Sequence, residues 1–152
     1  GSGLQVGGVA SAAWPAANRA IYAPFRIATP CTVEQLGLAN GATVSGNFDV
    51  AIYDRAGTKL VSTGSTAQAG INALQRVVIA SYPLAAGLFY MALAVDNITA
   101  TVFARGTSPI LAICQAMGTL EQGTAFPLPA TMTPVSLSAI YIPVICVDLK
   151  LL

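Results

Sequence analysis

The 152-residue chain contains no histidine. A Ser-His-Asp or Cys-His catalytic arrangement is therefore excluded, and histidine-ligated zinc with it. Charge is the second scarcity. Charged residues make up 9% and hydrophobic residues 55%, whereas an ordinary soluble domain carries about 25% charged residues. The seven basic residues, Arg19, Arg26, Arg55, Lys59, Arg76, Arg105 and Lys150, are scattered, and the net charge is +1. No basic patch marks a nucleic-acid partner. Cys31, Cys114 and Cys146 are far apart and form no C-x-x-C, so no zinc site is expected. Three reduced thiols in the core are favoured over one disulfide plus a free thiol. Long hydrophobic runs are missing too. The longest, at residues 88–95 and 139–147, fall well short of the ~18–20 residues of a spanning helix. No basic-then-apolar leader opens the chain. A transmembrane barrel would need more strands and aromatic girdles. Membrane insertion is not expected, and the scarcity of charge is better explained by a surface covered by copies of the chain or by other subunits than by a monomer with a surface of Ala, Ser, Thr and Gly.

What the chain does have is short apolar stretches separated by turn chemistry. Residues 48–53, 74–80 and 88–95 are apolar, with Asp54-Arg55-Ala56-Gly57 and residues 64–70 between them. This spacing predicts an all-β antiparallel sandwich, jelly-roll-like, of about eight strands. In residues 19–27, Ile21, Ala23, Phe25 and Ile27 alternate with Tyr22, Pro24 and Arg26, and Pro24 places the strand at an edge or a bulge. In residues 47–53, Phe48, Val50 and Ile52 are expected inside, with Asn47, Asp49, Ala51 and Tyr53 outside. Residues 32–39 show no clean apolar face. Asn40-Gly41 signals a turn, and Gly57 suits a left-handed position. Residues 88–96 are apolar on both faces, as a central strand is. Ser108 and Pro109 could open a short helix through Met117. Residues 121–134, rich in proline, read as a long ordered loop, and residues 136–147 as a closing strand.

Residues 1–13 are expected to form a flexible arm, of which residues 1–3 resemble an expression-vector remnant. Residues 14–152 form one domain ending in an apolar tail. Leu4, Val6 and Val9 in the arm, and Leu149, Leu151 and Leu152 in the tail, are the expected oligomer or docking contacts.

Candidate chemistry is thin. A glycosidase pair would have to come from Glu34, Asp49, Asp54, Asp96, Glu121 and Asp148, most of them at turns or strand ends. Calcium needs about six oxygen ligands, and the Asp96, Asn97 and Thr99 turn is not acidic enough to supply them. No metal, cofactor or catalytic residue is expected. Asn97-Ile98-Thr99 matches a glycosylation acceptor, a pattern met often by chance. A glycan site would need aromatic faces beside amide, carboxylate or guanidinium groups. Trp14, Tyr22, Tyr53, Asp96, Asn97 and Arg105 are its candidates. Trp14, beside Pro15, reads as an exposed stacking platform or, more readily, as a core or interface plug.

Four segments carry a resemblance: WPAANRAIYAPFRI, NGATVSGNFDVAIYDRAGTKLVSTGSTAQ, PLAAGLFYMALAVDN and QGTAFPLPATMTP. Together they resemble β-sandwich modules of virion structural proteins of tailed bacteriophages, of the head-decoration, head-fibre or tail-fibre kind. The spacing of Tyr53, Asp54, Gly57 and Leu60, followed by Leu84, Ala86, Gly87 and Tyr90, also resembles carbohydrate-binding sandwich modules of secreted bacterial proteins. The likeness spans residues 14–147. It implies a non-enzymatic virion subunit at the particle surface, commonly a homotrimer, with other virion proteins as partners and a host-surface glycan as a further one. It brings no catalytic motif.

Overall fold

In the computed structural model, residues 9–105, 115–138 and 141–151 are described. Among the described residues, thirteen strands follow in chain order: β1 (Ala10–Ala13), β2 (Arg19–Ile27), β3 (Cys31–Ala39), β4 (Asn47–Asp54), β5 (Lys59–Ser62), β6 (Thr66–Ala67), β7 (Leu74–Leu84), β8 (Gly87–Val95), β9 (Thr101–Arg105), β10 (Leu120–Gln122), β11 (Val135–Ser136), β12 (Ile142–Pro143) and β13 (Ile145–Leu151).

They form an all-β antiparallel sandwich. One layer has the order β11-β10-β2-β8-β4-β5, with β6 also on β4. The other is made of β13-β3-β7 and β1-β9-β12. Val144 stitches these two groups together. Its N–H donates to the Phe103 carbonyl at 2.8 Å, and its carbonyl accepts the Ala39 N–H at 3.1 Å.

Alternation in sequence becomes alternation in burial. Ile21 on β2, Phe48, Val50 and Ile52 on β4, and Leu93 and Val95 on β8 turn inward. They meet Val33, Leu36 and Leu38 of β3 and Val102 and Ala104 of β9. Each large side chain fully buried contributes about 1.5–3 kcal/mol. β8 lies between β2 and β4, and both of its faces are apolar because Leu93 and Val95 join the main core while Ala92 and Ala94 pack under Ala125 and Leu128. On β2, β10 pairs with Ala20–Tyr22, so among the described residues that strand is locally an edge at Pro24.

β3 lacked a clean face because it is bulged. Val33 pairs with Tyr82 and Gln35 with Val78, and the register shifts between them. Cys31 and Val33 are buried before the bulge, and Leu36 and Leu38 after it. Period two holds on each side, and an irregularity between them changes the parity.

Four expectations need correction. The outward residues of β4 do not meet water: Asp49, Ala51 and Tyr53 are buried, because the proline-rich segment folds back over this face. The arm is not wholly an arm, since Ala10–Ala13 pair with Ala104–Thr101 of β9; residues 1–8 lie outside the described residues. Residues 136–147 are not one strand. Val135–Ser136 joins β10, whereas β12 and β13 pair with β9 and β3. The turn expected at Asn40-Gly41 is instead a crossing between layers: neither residue takes a positive φ, and Asn40 forms a bridge to Val102 of β9. Gly57 does take a positive φ of 90°. The helix expected over residues 108–117 falls mostly outside the described residues.

Candidate functional site

The three aromatic candidates are interior. Trp14 is 1% exposed. Its indole Nε1–H donates to the Arg19 carbonyl at 3.1 Å, and its ring meets Tyr141 edge-on at 5.2 Å. An exposed stacking platform is therefore ruled out for Trp14, and the plug reading describes it. Tyr22 and Tyr53 do come together, edge to face at 5.4 Å. They sit beneath residues 123–133, where no sugar ring could lie on them. Burial pushes the Tyr22 hydroxyl up to about 12 and the Tyr53 hydroxyl higher still.

That segment acts as a strap. The Tyr53 hydroxyl donates to the Pro129 carbonyl at 2.6 Å. Lys59 Nζ donates to the Leu128 carbonyl at 2.6 Å, and the Tyr22 hydroxyl to Gln122 Oε1 at 3.0 Å. Asp49 Oδ2 accepts the Leu128 N–H at 3.0 Å. Beneath the strap, Ala20, Ala51, Ala92 and Ala94 are small enough to let Ala125 and Leu128 settle on the sheet. A second, smaller core results.

Burial raises the Asp49 pKa, against smaller opposing effects from the Leu128 N–H, the Lys59 charge, the Thr63 hydroxyl and the Gly64 N–H. The folded chain thus holds this proton more tightly than the unfolded chain. The stability so gained is complete below the ordinary carboxyl pKa of 3.8 and is lost as pH rises through the raised value. Asp49→Asn keeps an acceptor for Leu128 and can donate to the Thr63 hydroxyl. Its melting temperature at neutral pH should equal or exceed that of the wild type, with this part of the acid dependence gone. Asp49→Ala strands the buried Leu128 N–H and should cost about 1–3 kcal/mol. Melting curves from neutral to acid pH check both; an Asn variant as unstable as the Ala variant would contradict this reading.

Asp96 and Asn97 are neighbours of each other but of none of the aromatic candidates. Asp96 Oδ1 accepts the Asn47 N–H at 3.0 Å. Asn97 Nδ2 donates to the Ser45 carbonyl at 2.9 Å and to Asp96 Oδ1 at 2.6 Å. Asn97 Oδ1 accepts the N–H groups of Thr99 and Ala100 at 2.9 and 2.8 Å. This amide is spent on building a turn. Arg105 lies at the far end of β9 from Trp14, opposite Ile142. The six candidates therefore do not converge.

The remaining carboxylates are also engaged by the fold. Glu121 pairs with Arg19 at 3.4 Å and accepts the Ser138 hydroxyl. Asp54 accepts the Thr58 N–H. Asp148 pairs with Arg76 at 3.5 Å, and Glu34 with Lys150 at 4.0 Å. Among the described residues no cluster of three metal-ligating side chains exists. Buried Asn40 and Gln68 form an amide network with half-buried Gln75 that sequence patterning does not reveal. Gln68 Nε2 donates to Asn40 Oδ1 at 3.0 Å, and Asn40 Nδ2 to Gln75 Oε1 at 2.9 Å. It pins the 63–73 connection to β3 and leaves no side-chain group open for a ligand.

What the surface does offer is apolar. Val78, Leu151, Met117, Ile71, Val135 and Ile98 are all exposed. A cleft of 430 Å³ is lined by Arg26, Ile27, Ala28, Ala86, Gly87 and Leu88, and an adjoining one of 220 Å³ includes Leu149 and Leu151. By register, Leu149 and Leu151 share the inward side of Val33 and Cys31, at an end where the sandwich stays open. Val9 is also exposed, whereas Leu4, Val6 and Leu152 lie outside the described residues. No family model, curated protein or solved structure was found to match the chain.

Proposed function

We propose that the chain is a non-enzymatic structural subunit of a tailed-bacteriophage particle. It acts by associating with copies of itself and docking on other virion proteins at the particle surface. The observation that carries this reading is the surface. Large apolar side chains stand exposed on a chain in which only 9% of residues are charged. A protein that works alone in water rarely keeps such a surface. The carboxylates, tied one by one to backbone or to cations, support the non-enzymatic part. The resemblance of residues 14–147 supplies the virion context and a trimer as the usual assembly.

A glycan-binding role would rest on Trp14, Tyr22 and Tyr53, and the burial of all three argues against it. The test is direct. An antibody against the recombinant chain should label purified, nuclease-treated phage particles from the source culture and co-sediment with them. Signal confined to the particle-free supernatant would sink the proposal.

A further inference from the structure

We infer that the strap, residues 123–133, is a flap. It lifts off the sheet as one unit, on a stem made by β10 and β11, while the sandwich beneath it stays folded. The motion needs no partner, and it holds whether or not copies of the chain associate.

The loop is closed at its own base. β10 and β11 pair with each other through Leu120–Ser136 and Glu121–Val135. Just beyond them, Gln122 Oε1 accepts the Thr133 N–H at 2.8 Å. The stem is held to β2 separately, by the pairing of β10 with Ala20–Tyr22 and by the Tyr22 hydroxyl, which donates to the same Gln122 oxygen. The two ends of the strap therefore stay together, and stay on the sheet, whether or not its middle is docked. Compact surface loops of about 6–16 residues with joined ends are self-contained units of this kind.

The main core does not depend on the flap. Among the described residues, the cluster between the two layers contains no residue of 123–133. Ala125 and Leu128, with half-buried Phe126 and Met132, belong instead to the second core, on the other side of β2, β4 and β8. A segment that can leave without opening the main core opens at a lower free energy than the strands that build it.

The attachments of the flap are concentrated. Leu128 is gripped at both its backbone groups, the N–H by Asp49 Oδ2 at 3.0 Å and the carbonyl by Lys59 Nζ at 2.6 Å. The Pro129 carbonyl accepts the Tyr53 hydroxyl. One bridge joins Thr131 to Thr58, through the Lys59 N–H to the Ala130 carbonyl at 2.8 Å and the Met132 N–H to the Gly57 carbonyl at 2.9 Å. Apart from Asp49, these partners come from residues 53–59, where β4 turns into the edge strand β5. Nearer the stem, the Ala125 N–H donates to the Asn18 carbonyl at 2.6 Å. The closed flap shows Thr124, Pro127, Ala130 and Thr131 to solvent. The lifted flap uncovers Ala20, Ala51, Ala92 and Ala94 with the rings of Tyr22 and Tyr53. This side of the sandwich thus has two alternative surfaces, and the grip on Leu128 decides between them.

Native-state hydrogen exchange, read residue by residue on the full chain, tests the motion, with Lys59→Met as the variant. Methionine keeps much of the lysine side chain's bulk and removes the donor to Leu128. In the wild type the amides of Ala125, Leu128 and Met132 should be at least about tenfold less protected than the most protected amides of β2, β4 and β8, and should respond weakly to low denaturant. Lys59→Met should lower flap protection by about a further tenfold and leave β2 and β8 unchanged, and Tyr53 should become more reactive to nitration. Flap and sheet amides that share one protection and one denaturant response in the wild type would overturn the inference, whether or not the variant folds. A Lys59→Met variant that loosens flap and sheet equally would overturn it too.

Discussion

Trp14→Ala should lower the stability of the domain by about 3–5 kcal/mol, the cost of removing a fully buried aromatic side chain. At roughly 2–4 °C per kcal/mol for a chain of this size, the melting temperature falls by about 6–20 °C. Three losses combine. The indole leaves a cavity in the main core, the Arg19 carbonyl loses its donor, and Tyr141 loses its edge contact. Tyr141 also donates to the Ala12 carbonyl at 2.8 Å, so the damage should spread to β1. A variant that melts like the wild type would mean that Trp14 is on the surface after all, and the glycan reading would return with it.

Gly37→Ala should be at least as severe. Gly37 sits in the middle of β3, flanked by Cys146 of β13 and Arg76 of β7. A Cβ at this position would lie 2.0 Å from the Gln75 carbonyl oxygen and 2.9 Å from its carbon. Both are backbone atoms of a paired strand and cannot step aside as a side-chain tip could. Either β7 separates from β3 or the β3 backbone rotates, and each route breaks ladder hydrogen bonds. The expected cost is about 3 kcal/mol or more, at the upper end of overpacking effects. Chemical denaturation read by circular dichroism measures it, and a loss under about 1 kcal/mol would mean that the two strands are not held this closely.

The layered β architecture was legible because alternation survives where strands are regular. Phe48, Val50 and Ile52 could be placed inside from period two alone, and the two-faced apolarity of residues 88–95 gave a central strand. β3 was illegible because its bulge between Val33 and Gln35 inverts the parity halfway along. Residues 10–13 were read as part of an arm because alanine and serine carry no period. The covered outer face was missed for a different reason. Proline-rich residues 123–134 have no pattern that says what they lie on, and Asp49 beside Ala51 and Tyr53 looks like a solvated face. One signal was available. Small residues recur on the outward side of three neighbouring strands, as Ala20, Ala51, Ala92 and Ala94, and small residues there leave room for a close-packed cover.

The candidate site was less legible still. Aromatic and polar residue types can nominate a glycan site, but only the tertiary arrangement says which aromatics face water. Trp14, Tyr22 and Tyr53 had been chosen for the same bulk and polar tips that make them useful interior plugs. The exposed apolar strip on β7 was hidden because Leu74 and Val78 alternate with Val77 and Ile79. Both faces of that strand read as core, and the sequence does not say which one lacks a covering layer.

In the proposed role, this charge-poor surface is covered by copies of the same chain. The most direct measurement is the solution mass of the wild-type chain, by light scattering after size exclusion over a wide concentration range. The account predicts a multiple of 15.5 kDa that persists on dilution to the low micromolar range. A single species of 15.5 kDa throughout would contradict it, since the exposed Ile71, Leu74, Val78 and Leu151 would then remain in water with no copy to cover them.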